Sequence, residues 1–314
     1  MTPAAKLIAV VGPTATGKSA LGLALAERFG GEIIACDSTA VYRGLDIGTD
    51  KVPPDEQRGI PHHLINLVEP TEIYSAARYA SDAAAAITSI AARGRVPILV
   101  GGTGFYVRAL VRGLFPGPAR DEALRARLAR VADRRGVEAL HRWLTRVDPA
   151  SAARIQPRDR MRLIRALEVY LLTGRPLTAH FAETASPIAG VGVLTIGLDL
   201  PRPLLRERVS LRVDAQFARG VVDEVRRLEA AGVPLSAHAF SGLVYRQIVE
   251  MLQGARDEPA TRALIVQENM RYARRQLTWF RREPDVRWLP GAGETKAIQH
   301  EACALVEGFL GVDT

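Results

Sequence analysis

Cysteine is nearly absent. The two that occur, Cys36 and Cys303, form neither a CxxC pair nor a disulfide framework, so a reducing cytoplasm is expected. No apolar run approaches the length needed to cross a bilayer, which argues against a membrane protein. The opening MTPAAKLIAVVGPT lacks the layout of a secretory signal, because its apolar stretch runs directly into a glycine-rich turn. There is no internal repeat and no low-complexity tract. Lysine is missing between Arg120 and Arg165, where thirteen arginines stand against six acidic residues.

What is present is enough for a real core. Apolar residues make up 47% of the 314, far from a disordered composition and sufficient for one large α/β domain or a core with an insertion. The net charge of +8 and the pI of about 9.9 call for a polyanionic partner. A GC-rich genome alone would also enrich arginine and alanine. Clustering favours phosphate contact, since a second stretch, Arg271 to Arg287, carries six arginines against Glu283 and Asp285.

Residues Lys6 to Val11 read as a buried strand, followed by a glycine-rich turn and a helix to about Phe29. Glu32 to Cys36 reads as a second strand ending at Asp37-Ser38, and His63 to Val68 as a third. Ala76 to Arg93 is helical, and Val96 to Val100 is a buried strand closing on Gly101-Gly102-Thr103-Gly104. Alternating strands and helices predict an α/β fold, a parallel sheet with helices on both faces and ligands at the strands' carboxyl ends. Three strands end in polar turns: GPTATGKS, DST and GGTG. The pattern changes after Leu114-Phe115-Pro116, where arginine-rich helices run to about Gly174. Val191 to Leu200 then reads as a strand, Pro203 to Ala231 as one helix, and the rest to about Arg282 as mostly helical. The expected division is a core of residues 1–115 and 190–314 and an all-helical insertion of residues 116–189.

Gly12-Pro13-Thr14-Ala15-Thr16-Gly17-Lys18-Ser19 matches G-x-x-x-x-G-K-[ST] in full, between a strand and a helix as that motif requires. Its glycines let backbone N–H groups converge on phosphate oxygens, and the helix N-terminus favours negative charge. Lys18 is expected on the terminal phosphate and Ser19 on Mg²⁺. Read alone, the loop suggests ATP. A nucleotide hydrolase, however, usually has an apolar strand ending in a Mg²⁺-holding Asp, whereas VPILV ends in GGTG without a carboxylate. A kinase-like or other transferase with a phosphate leaving group remains.

Asp37 follows the second strand, at the sheet edge of the phosphate loop. It fits a general base or a Mg²⁺ ligand, and equally the N-cap of a following helix. Thr103 has the same two readings, as a phosphate or base contact or as a helix cap. Arg158, Arg162 and Arg165 recur at i, i+4 and i+7, one helix face, with Glu168 placed to pair with Arg165. Arg208 and Arg212 are one turn apart and can project toward a phosphate. His62 and His63 lack metal-ligand spacing, and the three tryptophans are more often core than stacking platforms.

Taken together, the segments resemble the bacterial tRNA dimethylallyltransferases (tRNA isopentenyltransferases). The resemblance runs through GPTATGKS, DSTAVYRGLDIGTDK, PHHLINLVEP, YSAARYASDA, GRVPILVGGTGFYVRAL, VDPASAARIQPRDRMRLIRALEVY, VYRQI and RRQLTWFRR, nearly the whole chain. It implies a P-loop NTPase-like core with an inserted, tRNA-binding helical domain. It also implies transfer of dimethylallyl from dimethylallyl diphosphate to N6 of adenosine 37, with Mg²⁺ as cofactor. The phosphate loop would hold the donor's diphosphate, Asp37 would serve as base, and Thr103, Arg208 and Arg212 would assist. Contacts to tRNA are implied for Asp37, Ser38, Thr39, Ala40 and Thr103. They are implied also for Arg125, for Met161, Arg162, Leu163, Ile164 and Arg165, and for Arg274, Arg275, Gln276, Trp279 and Arg281. The chain would act as a monomer on the anticodon stem-loop.

Three positions depart from the family's pattern. Ala40 stands where Gln is frequent, Ser241 where Arg is frequent, and Val244 precedes Tyr245-Arg246 where Gly-Tyr is common. Two distant cysteines cannot build the zinc finger of eukaryotic relatives. The competing readings are a small-molecule kinase using ATP and an enzyme prenylating free adenine nucleotides. Neither needs an arginine-rich insertion. A non-enzymatic nucleic-acid binder would leave the phosphate loop and Asp37 unused.

Overall fold

The computed structural model describes residues 5–311; residues 1–4 of the N-terminal stretch and 312–314 of the expected core lie outside them. The chain opens with β1 (Lys6–Val11), α1 (Lys18–Phe29), β2 (Gly31–Cys36), a two-residue β3 (His62–His63), α2 (Ala76–Ala92), β4 (Val96–Gly101) and α3 (Gly104–Arg112). Helices α4 (Glu122–Arg135), α5 (Val137–Val147), α6 (Pro149–Arg154), α7 (Arg160–Thr173) and α8 (Leu177–Phe181) follow. Then come β5 (Gly192–Leu198), α9 (Arg202–Ala218), α10 (Val221–Ala230), α11 (Tyr245–Leu252), α12 (Glu258–Phe280), β6 (Val286–Leu289) and α13 (Lys296–Leu310). No helix among the described residues is long and apolar enough to cross a membrane.

Two compact units result, one of residues 1–110 with 188–314 and one of residues 111–187, against the expected divisions at 115/116 and 189/190. In the first, the strands form one six-stranded sheet in the order β3-β2-β4-β1-β5-β6. Every pairing is parallel, so both faces need helical cover and the strands read as continuous apolar runs. KLIAVV is buried from its second residue on. Ile8, Ile98 and Ile196 on the sheet pack with Leu21 and Leu25 of α1 and with Val306 of α13. Each such side chain contributes about 1.5–3 kcal/mol on burial. Because β1, β2 and β4 are neighbours pointing the same way, their three polar turns emerge along one edge of the sheet.

The second unit has its own core, in which Leu128, Leu140, Leu144, Leu163 and Leu167 are buried. Its helices start where carboxylates cap them. Asp121, Asp148 and Asp159 accept from the backbone N–H of Leu124, Ser151 and Arg162.

Three expected elements differ, and one strand is additional. The strand at His63 to Val68 shrinks to His62–His63, with Val68 bridging singly to Tyr42. Leu64 and Asn66 take positive φ in between, which an extended strand cannot accommodate. The helix expected from Pro203 to Ala231 is two, because Gly220 (φ 87) breaks it between α9 and α10. Strand β6 lies past Arg282, beyond the segment expected to be mostly helical; VRWL is too short to show alternation. Arg158 lies outside α7, since Asp159 caps that helix, so the three-arginine face reduces to Arg162 and Arg165.

Candidate active site at the phosphate loop

The loop between β1 and α1 has the strained backbone that phosphate cradling requires. Gly17 has φ 83, and a Cβ there would lie 2.1 Å from the Glu294 carboxylate. Ala15 is left-handed as well (φ 62). Internal bonds hold the shape: Thr16 Oγ1 donates to Pro13 O at 2.9 Å, and Gly293 N–H to Thr16 O at 2.9 Å. Lys18 Nζ is folded back onto Pro13 O at 2.5 Å. Burial, and secondarily the Arg212 charge, push its pKa down to about 7, against smaller opposing pulls from Asp37 and Cys36.

Arg208 and Arg212 of α9 reach this loop from the other side, as their one-turn spacing suggests. Arg208 Nε donates to Ala15 O at 2.7 Å, and its Nη1 pairs with Glu294. Arg212 Nη1 donates to Thr14 Oγ1 at 2.9 Å. Gln276 closes the arrangement. It is buried, accepts from Thr14 N–H at 2.9 Å and donates to Gly102 O at 2.9 Å, tying the phosphate loop to the end of β4. This packing explains GGTG, since a Cβ on Gly102 would meet Gln276 at 2.1 Å and one on Gly104 would meet Trp279 at 2.3 Å.

Asp37 lies directly past β2. No helix follows it, so the helix-cap reading fails; instead it organises a turn. Its Oδ1 accepts from Thr39 N–H (2.8 Å), Thr39 Oγ1 (2.7 Å) and Ala40 N–H (3.3 Å). Among the described residues no donor meets Oδ2, which leaves an acceptor oxygen on a carboxylate whose orientation is fixed. Thr103 stands at the start of α3, but its hydroxyl is buried with no partner and does not cap the helix. Cys36, behind Asp37, is fully buried, and burial pushes its thiol up to about 12, so it takes no part as a thiolate.

These groups converge. Thr14, Ala15, Gly17, Lys18 and Ser19 line one cavity of about 640 Å³ with Asp37, Ala40, Arg208, Arg212 and Gln276. Gly12, Pro13 and Thr16 are buried and shape the loop from beneath. Ser38 is exposed and Thr39 half-buried beside the cavity residues. On α12, Arg274 and Arg275 are exposed, with Arg275 over the Tyr272 ring at 5.6 Å. Trp279 is half-buried against Gly104, and Arg281 pairs with Asp199 at 2.9 Å.

Several lining residues escaped the sequence reading, among them Asp50, Arg219, Tyr272 and Glu294. Tyr272 had an available signal, since it precedes Gln276 by one helical turn and shares its face. Burial, then the Asp37 charge, push its hydroxyl up to about 12, so it stays a neutral donor. Ser19 is exposed and lines this cavity, and its hydroxyl oxygen is of the hard kind Mg²⁺ prefers; among the described residues no three carboxylate, His or Cys side chains cluster to hold a metal ion.

The helical unit, taken by itself, divides the remaining expected contacts. Met161 is 60% exposed and the Arg162 side chain 69% exposed. Leu163 and Ile164 are core residues, so their side chains are not a contact surface. Arg125, only 12% exposed, pairs with buried Glu168 at 3.1 Å, and Arg165 pairs with the same carboxylate at 2.7 Å. Burial opposes that charge, but Arg165, the Asp121 N–H and Arg125 outweigh it and hold the Glu168 pKa below its ordinary value. Arg125 and Arg165 are therefore committed to the fold.

Comparison with known proteins decides the family. The model of the IPP transferase family matches residues 40–283. The chain belongs to the IPP transferase family. A tRNA dimethylallyltransferase of Koribacter versatilis is 46% identical over 305 residues, 96% of this chain and 98% of that one. One of Solibacter usitatus is 48% identical over 309 residues, 97% and 99% of the two chains. Among solved structures, a tRNA isopentenylpyrophosphate transferase of Bacillus halodurans superposes with TM-score 0.70 at 36% identity, over 98% of this chain and 99% of that one. A eukaryotic dimethylallyltransferase acting on tRNA gives TM-score 0.80 at 26% identity, over 98% and 80%. This IPP transferase thus shares the parallel, helix-flanked sheet of structures whose names record prenyl transfer to tRNA.

Proposed function

We propose that this IPP transferase moves a dimethylallyl group from dimethylallyl diphosphate to N6 of adenosine 37 in tRNAs that read codons beginning with U. The products are N6-(dimethylallyl)adenosine and inorganic diphosphate. The observation that carries the reading is the single cavity in which a phosphate loop, two arginines and a fixed carboxylate converge without a Mg²⁺-holding Asp at the end of β4.

The chemistry assigns each group a task. Adenine N6 attacks the allylic carbon next to oxygen; the new C–N bond forms as the C–O bond to diphosphate breaks. The amine is a weak nucleophile because its lone pair is delocalised into the ring. Asp37 Oδ2 accepts its proton, while Oδ1 stays locked by Thr39 and Ala40. Lys18 leaves Pro13 O for the phosphate, and Arg208 and Arg212 balance the charge that develops on the leaving group. Ser19 is the residue that would hold Mg²⁺, which adds further neutralisation of the diphosphate. Gln276 fixes the loop against β4. The target base must leave its stack to reach the cavity.

The test compares wild-type chain with Asp37→Asn for transfer to an unmodified tRNA transcript and for tRNA binding. The variant should lose about 10²–10⁴-fold in turnover while its tRNA affinity holds within about twofold. Unchanged turnover removes Asp37 as the base.

A further inference from the structure

The turn at residues 46–50 has no role in the reaction described above, yet a buried carboxylate holds it to the rim of the cavity. Glu224 of α10 accepts from the backbone N–H of Asp46 (2.9 Å), Ile47 (2.8 Å) and Gly48 (3.3 Å) and from the Tyr245 hydroxyl (2.7 Å). Gln216 adds a bond to Gly48 O at 3.1 Å. Glu224, Tyr245 and Gln216 are all buried, so this anchor is rigid.

The turn delivers Asp50. Its backbone is left-handed at φ 59, an arrangement that costs a non-glycine residue free energy and persists only where the surroundings impose it. The carboxylate then spans two arginines. Oδ2 lies 3.1 Å from Arg212 Nε, and Oδ1 lies 3.4 Å from Nη1 of Arg219, just past the end of α9. Arg212 in turn reaches Thr14 in the phosphate loop. Asp50, Arg212 and Arg219 all line the cavity.

We propose that Asp50 is a positioning residue of the diphosphate site, aiming Arg212 and Arg219 together at the phosphate loop, and that Arg219 is a third arginine ligand of the diphosphate. The proposal rests on the reading that this cavity takes a prenyl diphosphate. It makes a prediction of unusual sign. A carboxylate near a diphosphate repels it, so removing a bystander charge would tighten binding. Removing a positioning carboxylate loosens binding, because two guanidiniums lose their orientation.

Asn tolerates left-handed backbone and is nearly isosteric, so Asp50→Asn preserves the turn. Arg219→Gln changes a half-exposed side chain and serves as the second variant. The full-length chain and both variants are measured for inorganic diphosphate affinity in the presence of Mg²⁺, for KM of dimethylallyl diphosphate and for KM of tRNA. Both variants should weaken diphosphate binding and raise the donor KM about tenfold, the loss of a charge-assisted hydrogen bond, with the tRNA KM within about twofold. Diphosphate binding that is unchanged or tighter in Asp50→Asn overturns the proposal. So does a tRNA KM that rises as much as the donor KM. If wild-type chain binds diphosphate but alkylates no tRNA, the activity reading fails. The diphosphate affinities still decide the role of Asp50.

Discussion

Lys18 illustrates how one residue links the fold to its ligand. In the unfolded chain its pKa is the ordinary 10.5; in the folded chain, burial and Arg212 bring it to about 7. Between those values the folded chain binds fewer protons. The group therefore costs stability in full below about pH 7, and the cost fades as pH rises toward 10.5. A bound diphosphate reverses the balance by returning negative charge to the loop. At about pH 8, diphosphate binding should take up about one proton on Lys18, read by titration calorimetry in buffers of different ionisation enthalpy. Lys18→Met should lose that uptake; an unchanged proton count would show that Lys18 is already charged. Residue identities of this kind were legible in the sequence, because GPTATGKS carries its own backbone requirements. Asp50, Arg219 and Glu294 were not. Each reaches the cavity from a loop or helix end whose approach depends on tertiary packing, and no local spacing signals it.

At the scale of elements, strand and helix type followed from pattern wherever the segment was long and buried, as in β1, α1, α2 and β4. Failures came at short or interrupted elements. Strand β3 has two residues, β6 has four, and a single Gly220 divides α9 from α10. The arginine face of α7 is the more instructive case. Spacing placed Arg162 and Arg165 together, but spacing cannot see that Glu168 is buried and must be paired. The two arginines should therefore separate in experiment. Arg162→Gln should lower the slope of log affinity for tRNA against log salt by about one contact's worth with little change in unfolding temperature. Arg165→Gln should instead destabilise the helical unit, since it strips a partner from a buried carboxylate. Equal salt effects and equal stability for both would refute this division of labour.

For the molecule as a whole, net charge, a phosphate loop and a missing carboxylate combine into one account. The +8 charge suits a polyanion. The cavity at the edge of the sheet suits a diphosphate that departs rather than a nucleotide that is hydrolysed. Asp37, with one oxygen locked and one open, suits an amine that must lose a proton. The decisive measurement is incubation of the chain with dimethylallyl diphosphate, Mg²⁺ and unmodified tRNA, followed by digestion to nucleosides and mass analysis, with ATP replacing the donor in a parallel reaction. The account predicts that one adenosine per tRNA, at position 37, gains a dimethylallyl unit in place of a hydrogen, and that ATP yields nothing. Unaltered adenosine with the prenyl donor, or phosphate transfer with ATP, would contradict it.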